Sequence, residues 1–210
     1  MVIAGAKGFA TELMDVFVQL NEYKDIIFFD DISDDLPDRI YNTFPIIRSL
    51  EELKLFFQKD NRYAIGVGNP KNRKIIYEKL QSIDGDSITI ISPHAIIGKF
   101  DVHIGKGSCV MTNAIIESTV SIGENCLINL NSAVTHGSIL GNFTEISIGV
   151  MIAGNTKIGN NVLVGANSTI LPNICIGNNS IIAAGSVVTK DVPDNCMVAG
   201  IPAVVKKRLV

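Results

Sequence analysis

Three histidines, His94, His103 and His136, are the side chains of this 210-residue chain whose ordinary titration range lies closest to neutrality. A zinc site would need several of them facing one another. Their spacings of 9 and 33 residues supply no such set and no close pair, so no metal site is expected. Cys109, Cys126, Cys175 and Cys196 show no Cys-x-x-Cys spacing and read as reduced thiols. A single imidazole can still act alone, as a general base. A second group of residues lies near the start of the chain. In Gly5-Ala6-Lys7-Gly8 the backbone N–H groups of a helix start, with the Lys7 charge, suit a phosphate. Asp30 and Asp31 follow a second apolar run, where a carboxylate can accept from ribose hydroxyls. A tight strand-to-helix turn beside a solvated aspartate would look the same, and both readings stand at this point. The third glycine of a dinucleotide fingerprint is missing, which argues against a whole NAD. Gly68 allows either close approach of a ligand or a turn with positive φ, and Arg73 beyond it is placed to reach a phosphate but reads rather as a surface arginine.

What must position these groups is mostly a repeat of six. From Ile104 to Val188 every sixth residue is Ile, Val or Leu, with no slip. Four residues after each sits mostly a small or β-branched side chain, such as Ser108, Ser132, Thr144 or Val162. That period fits neither a helix of 3.6 nor a strand of 2, and matches the hexapeptide repeat of a parallel β-helix. Three hexads form one triangular coil, so residues 18 apart share a column. Each buried aliphatic contributes roughly 1.5–3 kcal/mol. The column rule puts His136 below Gly154 and above Ser118, on the outward side of the coil. A histidine there can meet a ligand lying along the prism, or simply face solvent. Ile148, Ala166 and Ala184 form another column, small at its two upper levels, which would accept a thin extended molecule or merely suit a tight corner. The period slips by one between Ile97 and Ile104.

The first 90 residues do not repeat. Short apolar runs at 2–4, 26–29, 63–67 and 87–91 alternate with helical stretches at 11–20, 49–59 and 71–81. The reading is a small Rossmann-like α/β domain over 1–90, then a β-helix with a short C-terminal tail over 91–210. The first strand is short, which leaves the start of the chain open. A formal charge of −3 gives no basic field for nucleic acid, and no apolar run reaches the roughly 20 residues of a membrane span. The opening residues lack signal-peptide character, so a cytoplasmic protein is expected.

Together GAKGFA, FFDD, the stretch VTHGSILGNFTEISIGVMIAGNTKIGNNVLVGANSTILPN and the late AGIPA resemble the sugar O- or N-acyltransferases of the sialic-acid O-acetyltransferase type, which include bacterial nucleotide-aminosugar N-acetyltransferases. The resemblance covers nearly the whole chain. It implies a left-handed β-helix, a homotrimer with sites between neighbouring prisms, acetyl-CoA as cosubstrate, and a nucleotide-activated amino sugar of the 4-amino-4,6-dideoxy type as acceptor in bacterial surface glycan synthesis. By resemblance, His136 falls on the catalytic base. Lys7, Gly8, Phe9, Asp30, Asp31, Gly68 and Asn129 fall on the substrate site, and Glu145, Gly154, Ala166 and Ala184 on the acetyl-CoA site. The Gly154 N–H is a candidate oxyanion donor. Phe9 and Glu145 stand where the family usually has His, and Gly137 stands where many members place an acid. Glu145 is a further candidate to orient His136 from a neighbouring subunit. The rival readings are O-acetylation of a sugar such as sialic acid, and a catalytically silent trimeric scaffold.

Overall fold

A computed structural model describes residues 1–209. The first unit is a six-stranded sheet. Its strands are β1 (Val2–Ala4), β2 (Ile27–Phe29), β3 (Arg39–Ile40), β4 (Phe44–Ile47), β5 (Arg62–Ile65) and β6 (Asp86–Ser87), in the order β3-β4-β2-β1-β5-β6. All neighbours are parallel except β3 and β4. The β3–β4 hairpin lies between β2 and the second helix, outside the apolar runs read from the sequence. Three helices connect the strands: α1 (Phe9–Gln19), α2 (Leu50–Phe57) and α3 (Pro70–Gln81). The Ser49 hydroxyl caps α2 by accepting from the Glu52 N–H at 3.2 Å. Asn69 caps α3 through the Lys71 and Asn72 N–H groups, with Pro70 in the first helical position. α1 begins at Phe9, two residues earlier than its composition indicates, because Gly8 at φ 43° makes the turn.

The run expected as one strand over 87–91 is divided. Ser87 pairs with β5, while Ile90 and Ile91 pair with Cys109 and Val110 and already belong to the β-helix. From there two-residue strands build three parallel faces. Face one carries Cys109–Val110, Leu127–Ile128, Glu145–Ile146, Leu163–Val164 and Ile181–Ile182. Face two carries Ile115–Ile116, Ala133–Val134, Met151–Ile152 and Thr169–Ile170, and face three carries Ser121–Ile122, Ile139–Leu140 and Lys157–Ile158. Pairing is 18 residues apart through the regular coils and 19 at the bottom, where Ile96 meets Ile115. That offset is the slip after Ile97.

Every sixth-residue aliphatic from Val110 to Val188 is buried, and the serines and threonines four residues on point inward with them. Their hydroxyls are satisfied by carbonyls, as Thr144 Oγ1 is by Gly159 O at 2.9 Å. A second six-residue rule governs the corners. At every sixth residue from Asn113 to Gly185 the backbone is left-handed, with φ between 54° and 69°. Asn and Gly dominate there because glycine has no Cβ to clash and asparagine is among the side chains that tolerate this conformation best. The C-terminal tail is a hairpin, Cys196–Gly200 against Ala203–Arg208, closing the upper end of face one.

The α/β unit docks on face one. Ala10, Leu13 and Phe17 of α1 share a core with Ile90, Cys109, Met111 and Leu127. Arg73 corrects the expectation of a surface arginine: it is fully buried. Its guanidinium donates to Ile65 O (3.0 Å) and Val67 O (2.8 Å) on one side and to Asn125 O (3.0 Å) on the other. A buried cation is tolerated here because its fixed fork of donors meets backbone carbonyls from both units.

Candidate active site

A cavity of about 410 Å³ lies where β1, β2 and β5 end, beside the point at which the strand order turns outward in both directions. Ligands of open parallel sheets bind at this kind of position. Gly5, Ala6 and Lys7 form one wall, Asp30 to Ser33 a second, and Asn72, Ile75, Ile76 and Lys79 of α3 a third. The Asp30 carboxylate is heavily used within its own loop. Oδ1 accepts from the Ile32 and Ser33 N–H groups, and Oδ2 from the Ala6 N–H at 3.2 Å and the Ser33 hydroxyl at 3.1 Å. Its work is therefore to hold the β1 and β2 loops together around the cavity. Asp31 is ion-paired with Lys79, both carboxylate oxygens lying within 2.9 Å of Nζ. Lys7 pairs with Asp35, whose carboxyl is held below the usual range chiefly by the Lys7 hydrogen bond. Gly8 lies outside the cavity wall, and Phe9 is half-buried against the core shared by α1 and face one.

Gly68 follows β5 and meets the β-helix. A Cβ on it would lie 3.3 Å from Glu145 Oε1. The Glu145 carboxylate accepts from the Ser147 hydroxyl at 3.1 Å, and burial pushes its pKa up from the ordinary carboxylate range. Asn129, in the coil below, is buried, and its Oδ1 accepts from the Leu130 N–H at 2.7 Å. Gly68, Glu145 and Asn129 thus gather along face one.

His136 is exposed at the corner between faces two and three. The nitrogen-bearing edge of its imidazole lies against Gly154, where a Cβ would fall 2.5 Å from Cε1, 2.7 Å from Nε2 and 3.1 Å from Nδ1. Below it, the His136 N–H donates to Glu117 Oε2 at 2.9 Å. Ala166 and Ala184 stack at the corner between faces one and two, beyond an exposed Ile148. A triangular prism has one corner opposite each face. The His136 corner is the one opposite face one, so the core of the prism separates it from Gly68 and Glu145.

Sequence reasoning missed Lys79 and Asn72. Their spacing on α3 with Ile75 and Ile76 is i, i+3, i+4, i+7, which assigns all four to one helix face and could have found them. It also missed Glu117, one column aside from His136 and one coil down, and Gly66. A Cβ on Gly66 would stand 2.6 Å from Ala10 Cβ, so its lack of one lets β5 pack tightly on α1. Among the described residues no cluster of three or more metal-ligating side chains is formed, and no helix is long and apolar enough to cross a membrane.

A model of the PglD N-terminal domain matches residues 1–80. Models of the bacterial transferase hexapeptide match 137–171 and 155–190, and one of the hexapeptide repeat of succinyl-transferase matches 119–152. The bifunctional protein GlmU of Clostridium beijerinckii is 36% identical over 61 residues, 29% of this chain, and the match spans 13% of that protein's length. The acetyltransferase domain of PglB from Neisseria gonorrhoeae superposes with a TM-score of 0.87 at 27% identity, covering 97% of this chain and 98% of that one. The same domain has been solved with acetyl coenzyme A, with a TM-score of 0.86. PerB from Caulobacter crescentus, solved with CoA and GDP-perosamine, superposes at 0.89 over 98% of this chain and 96% of its own, and at 24% identity this likeness speaks to the fold. The prism is thus a left-handed parallel β-helix, and the chain joins a PglD-type N-terminal domain to bacterial transferase hexapeptide repeats, an arrangement that fits a hexapeptide-repeat sugar acyltransferase.

Proposed function

We propose that this protein transfers an acetyl group from acetyl-CoA to the amine of a nucleotide-linked 4-amino-4,6-dideoxy sugar, a cytoplasmic step in bacterial surface glycan synthesis. His136 is the base. The amine attacks the thioester carbon, the imidazole takes the proton of the attacking nitrogen, and the Gly154 N–H holds the developing oxyanion. The C–S bond then breaks, and the CoA thiolate leaves with the proton returned from His136. The observation carrying this reading is the exposed imidazole whose nitrogen edge lies under a residue without a side chain. The 27% identity to an acetyltransferase domain solved with acetyl-CoA supports the donor.

The acceptor's nucleotide is assigned to the cavity between Lys7, Asp31 and Lys79, which has charges of both signs and an apolar wall. The separation of His136 from Gly68 and Glu145 by the prism supports a site shared between copies. A ring of three identical chains repeats one corner-to-face contact and closes on itself. Exposed Ile96, Ile115 and Met151 on face two supply apolar surface for such contacts.

The test is a thiol-release assay with acetyl-CoA and UDP-, dTDP- or GDP-linked 4-amino-4,6-dideoxyhexoses. His136→Ala is expected to abolish release, and retention of most activity overturns the reading. Calorimetry with UDP, dTDP and GDP is expected to find one that binds. No nucleotide binding would favour O-acetylation of a free sugar, and failure to bind CoA would favour a silent scaffold. Light scattering is expected to give about 68 kDa, three times the 22.6 kDa chain.

A further inference from the structure

The corner that carries His136 is built differently from the others in the prism. At each left-handed position from Asn113 to Gly185, the backbone N–H donates to the carbonyl 19 residues earlier, one coil down. Asn131 reaches Thr112 O, Phe143 reaches Glu124 O, and Asn155 reaches His136 O at 2.9 Å. Gly137 is the exception among the described residues. Its N–H donates at 3.0 Å to the Thr119 hydroxyl, and that hydroxyl in turn donates to Ser118 O at 2.6 Å. A side-chain oxygen is thus inserted into the rung between Gly137 and Ser118.

Two features show that this insertion is specified. Thr119 is β-branched yet sits at φ 64°, a conformation unfavourable for such a residue and occupied mostly by Asn and Gly elsewhere in this series. The neighbouring N–H, that of His136 itself, is taken by the Glu117 carboxylate at 2.9 Å. Consecutive amides at His136 and Gly137 are therefore held from below by two side chains of one coil. From above, Asn155 Oδ1 closes on Gly137, where a Cβ would lie 2.3 Å away. Glycine directly after His136 leaves the room that the Asn155 amide oxygen occupies.

We propose that Glu117 and Thr119 are positioning residues for His136: through the two amides they set the height of the corner, and so the placement of the imidazole edge against Gly154. This rests on the reading of His136 as the base. Neither residue touches substrate in this account, so their loss lowers turnover and leaves substrate binding alone.

The experiment is steady-state kinetics with acetyl-CoA and the nucleotide-linked amino sugar accepted by the wild type among the UDP, dTDP and GDP forms. Glu117→Ala and Thr119→Val are each expected to lower kcat about tenfold to a hundredfold, with both KM values within about twofold. Glu117→Gln and Thr119→Ser restore an acceptor oxygen and are expected to recover kcat to within about threefold of wild type. Unchanged kcat in the Ala and Val variants overturns the proposal, as does a loss carried wholly by KM. Failure of the Gln and Ser variants to recover, with melting temperatures like the wild type, overturns it too. His136→Ala is measured alongside. If it keeps activity the base assignment fails, whereas if it is inactive and Glu117→Ala is not slowed, the positioning role alone is wrong.

Discussion

Gly154 lies directly over His136, one coil up, with the imidazole filling the space that a side chain would occupy. The backbone of Gly154 lies outside the left-handed region, so alanine is conformationally acceptable there. Its Cβ would nevertheless fall 2.5 Å from Cε1, and the ring, being the movable partner, must turn away. Gly154→Ala is expected to lower kcat about a hundredfold while leaving the melting temperature nearly unchanged, since a misplacement on the order of 1 Å has that effect on catalysis. Kinetics and thermal melts on one preparation check this. Activity within about threefold of wild type would show that the ring's contact with Gly154 is incidental.

Glu145 offers a test through pH. Burial raises its pKa in the folded protein, so over the window above the ordinary Glu value of about 4.3 the folded state binds more protons than the unfolded state. Unfolding free energy then falls as pH rises through that window and levels off once the folded carboxyl has ionised. Glu145→Gln removes this contribution. The stability of wild type relative to Glu145→Gln is expected to decline from about pH 4 upward and then flatten, measured as denaturant midpoints along a pH series. A difference that does not vary with pH, or that grows in favour of the wild type, would contradict the burial argument.

The thiols are expected to divide sharply. Cys109, Cys126 and Cys196 are buried, and desolvation pushes the Cys126 thiol up to about 11, whereas Cys175 is exposed on face three. A disulfide reagent should label Cys175 alone in the folded chain, all four cysteines after denaturation, and none quickly in Cys175→Ser. The point is practical, because the same reagent reads CoA release. Fast labelling of a second thiol would mean that the prism or its junction with the α/β unit opens readily.

How much of this was legible in the sequence depends on the range of the contacts involved. The hexad made the prism readable because each coil repeats one local instruction, and the 18-residue column follows from counting. The stacking of Gly154 over His136 comes from that count alone. The same count nearly reaches Glu117, which stands in the column next to that of His136, but no count shows that its side chain turns up to the His136 amide. The hydroxyl of Thr119 was equally hidden, since a threonine in the hexad normally reads as a strand residue. Arg73 was misread for a different reason. A buried arginine is defined by its acceptors, and Asn125 and Cys126 lie some fifty residues away in the other unit. The β3–β4 hairpin was obscured by the charge and prolines of its segment, which suggest a loop.

Arg73 is also where the two units are most exposed to a single change. It supplies donors to Ile65 O and Val67 O, next to Gly68 and the cavity, and to Asn125 O and, at 3.5 Å, Cys126 O in the β-helix. Arg73→Met keeps much of the volume and takes this donor from the carbonyls of Ile65, Val67 and Asn125, while Cys126 O keeps the Cys109 N–H at 2.8 Å. The expected destabilisation is about 3–5 kcal/mol, each orphaned acceptor contributing on the order of 1 kcal/mol or more. Because Val67 lines the cavity, nucleotide affinity should fall even at temperatures where the variant remains folded. Arg73→Lys keeps the charge but loses the fork, and should fall between the two. Denaturant melts with nucleotide titrations on the same samples check both effects. A Met variant as stable as the wild type would show that the two units are joined chiefly by the apolar contacts of α1, and that the guanidinium contributes little.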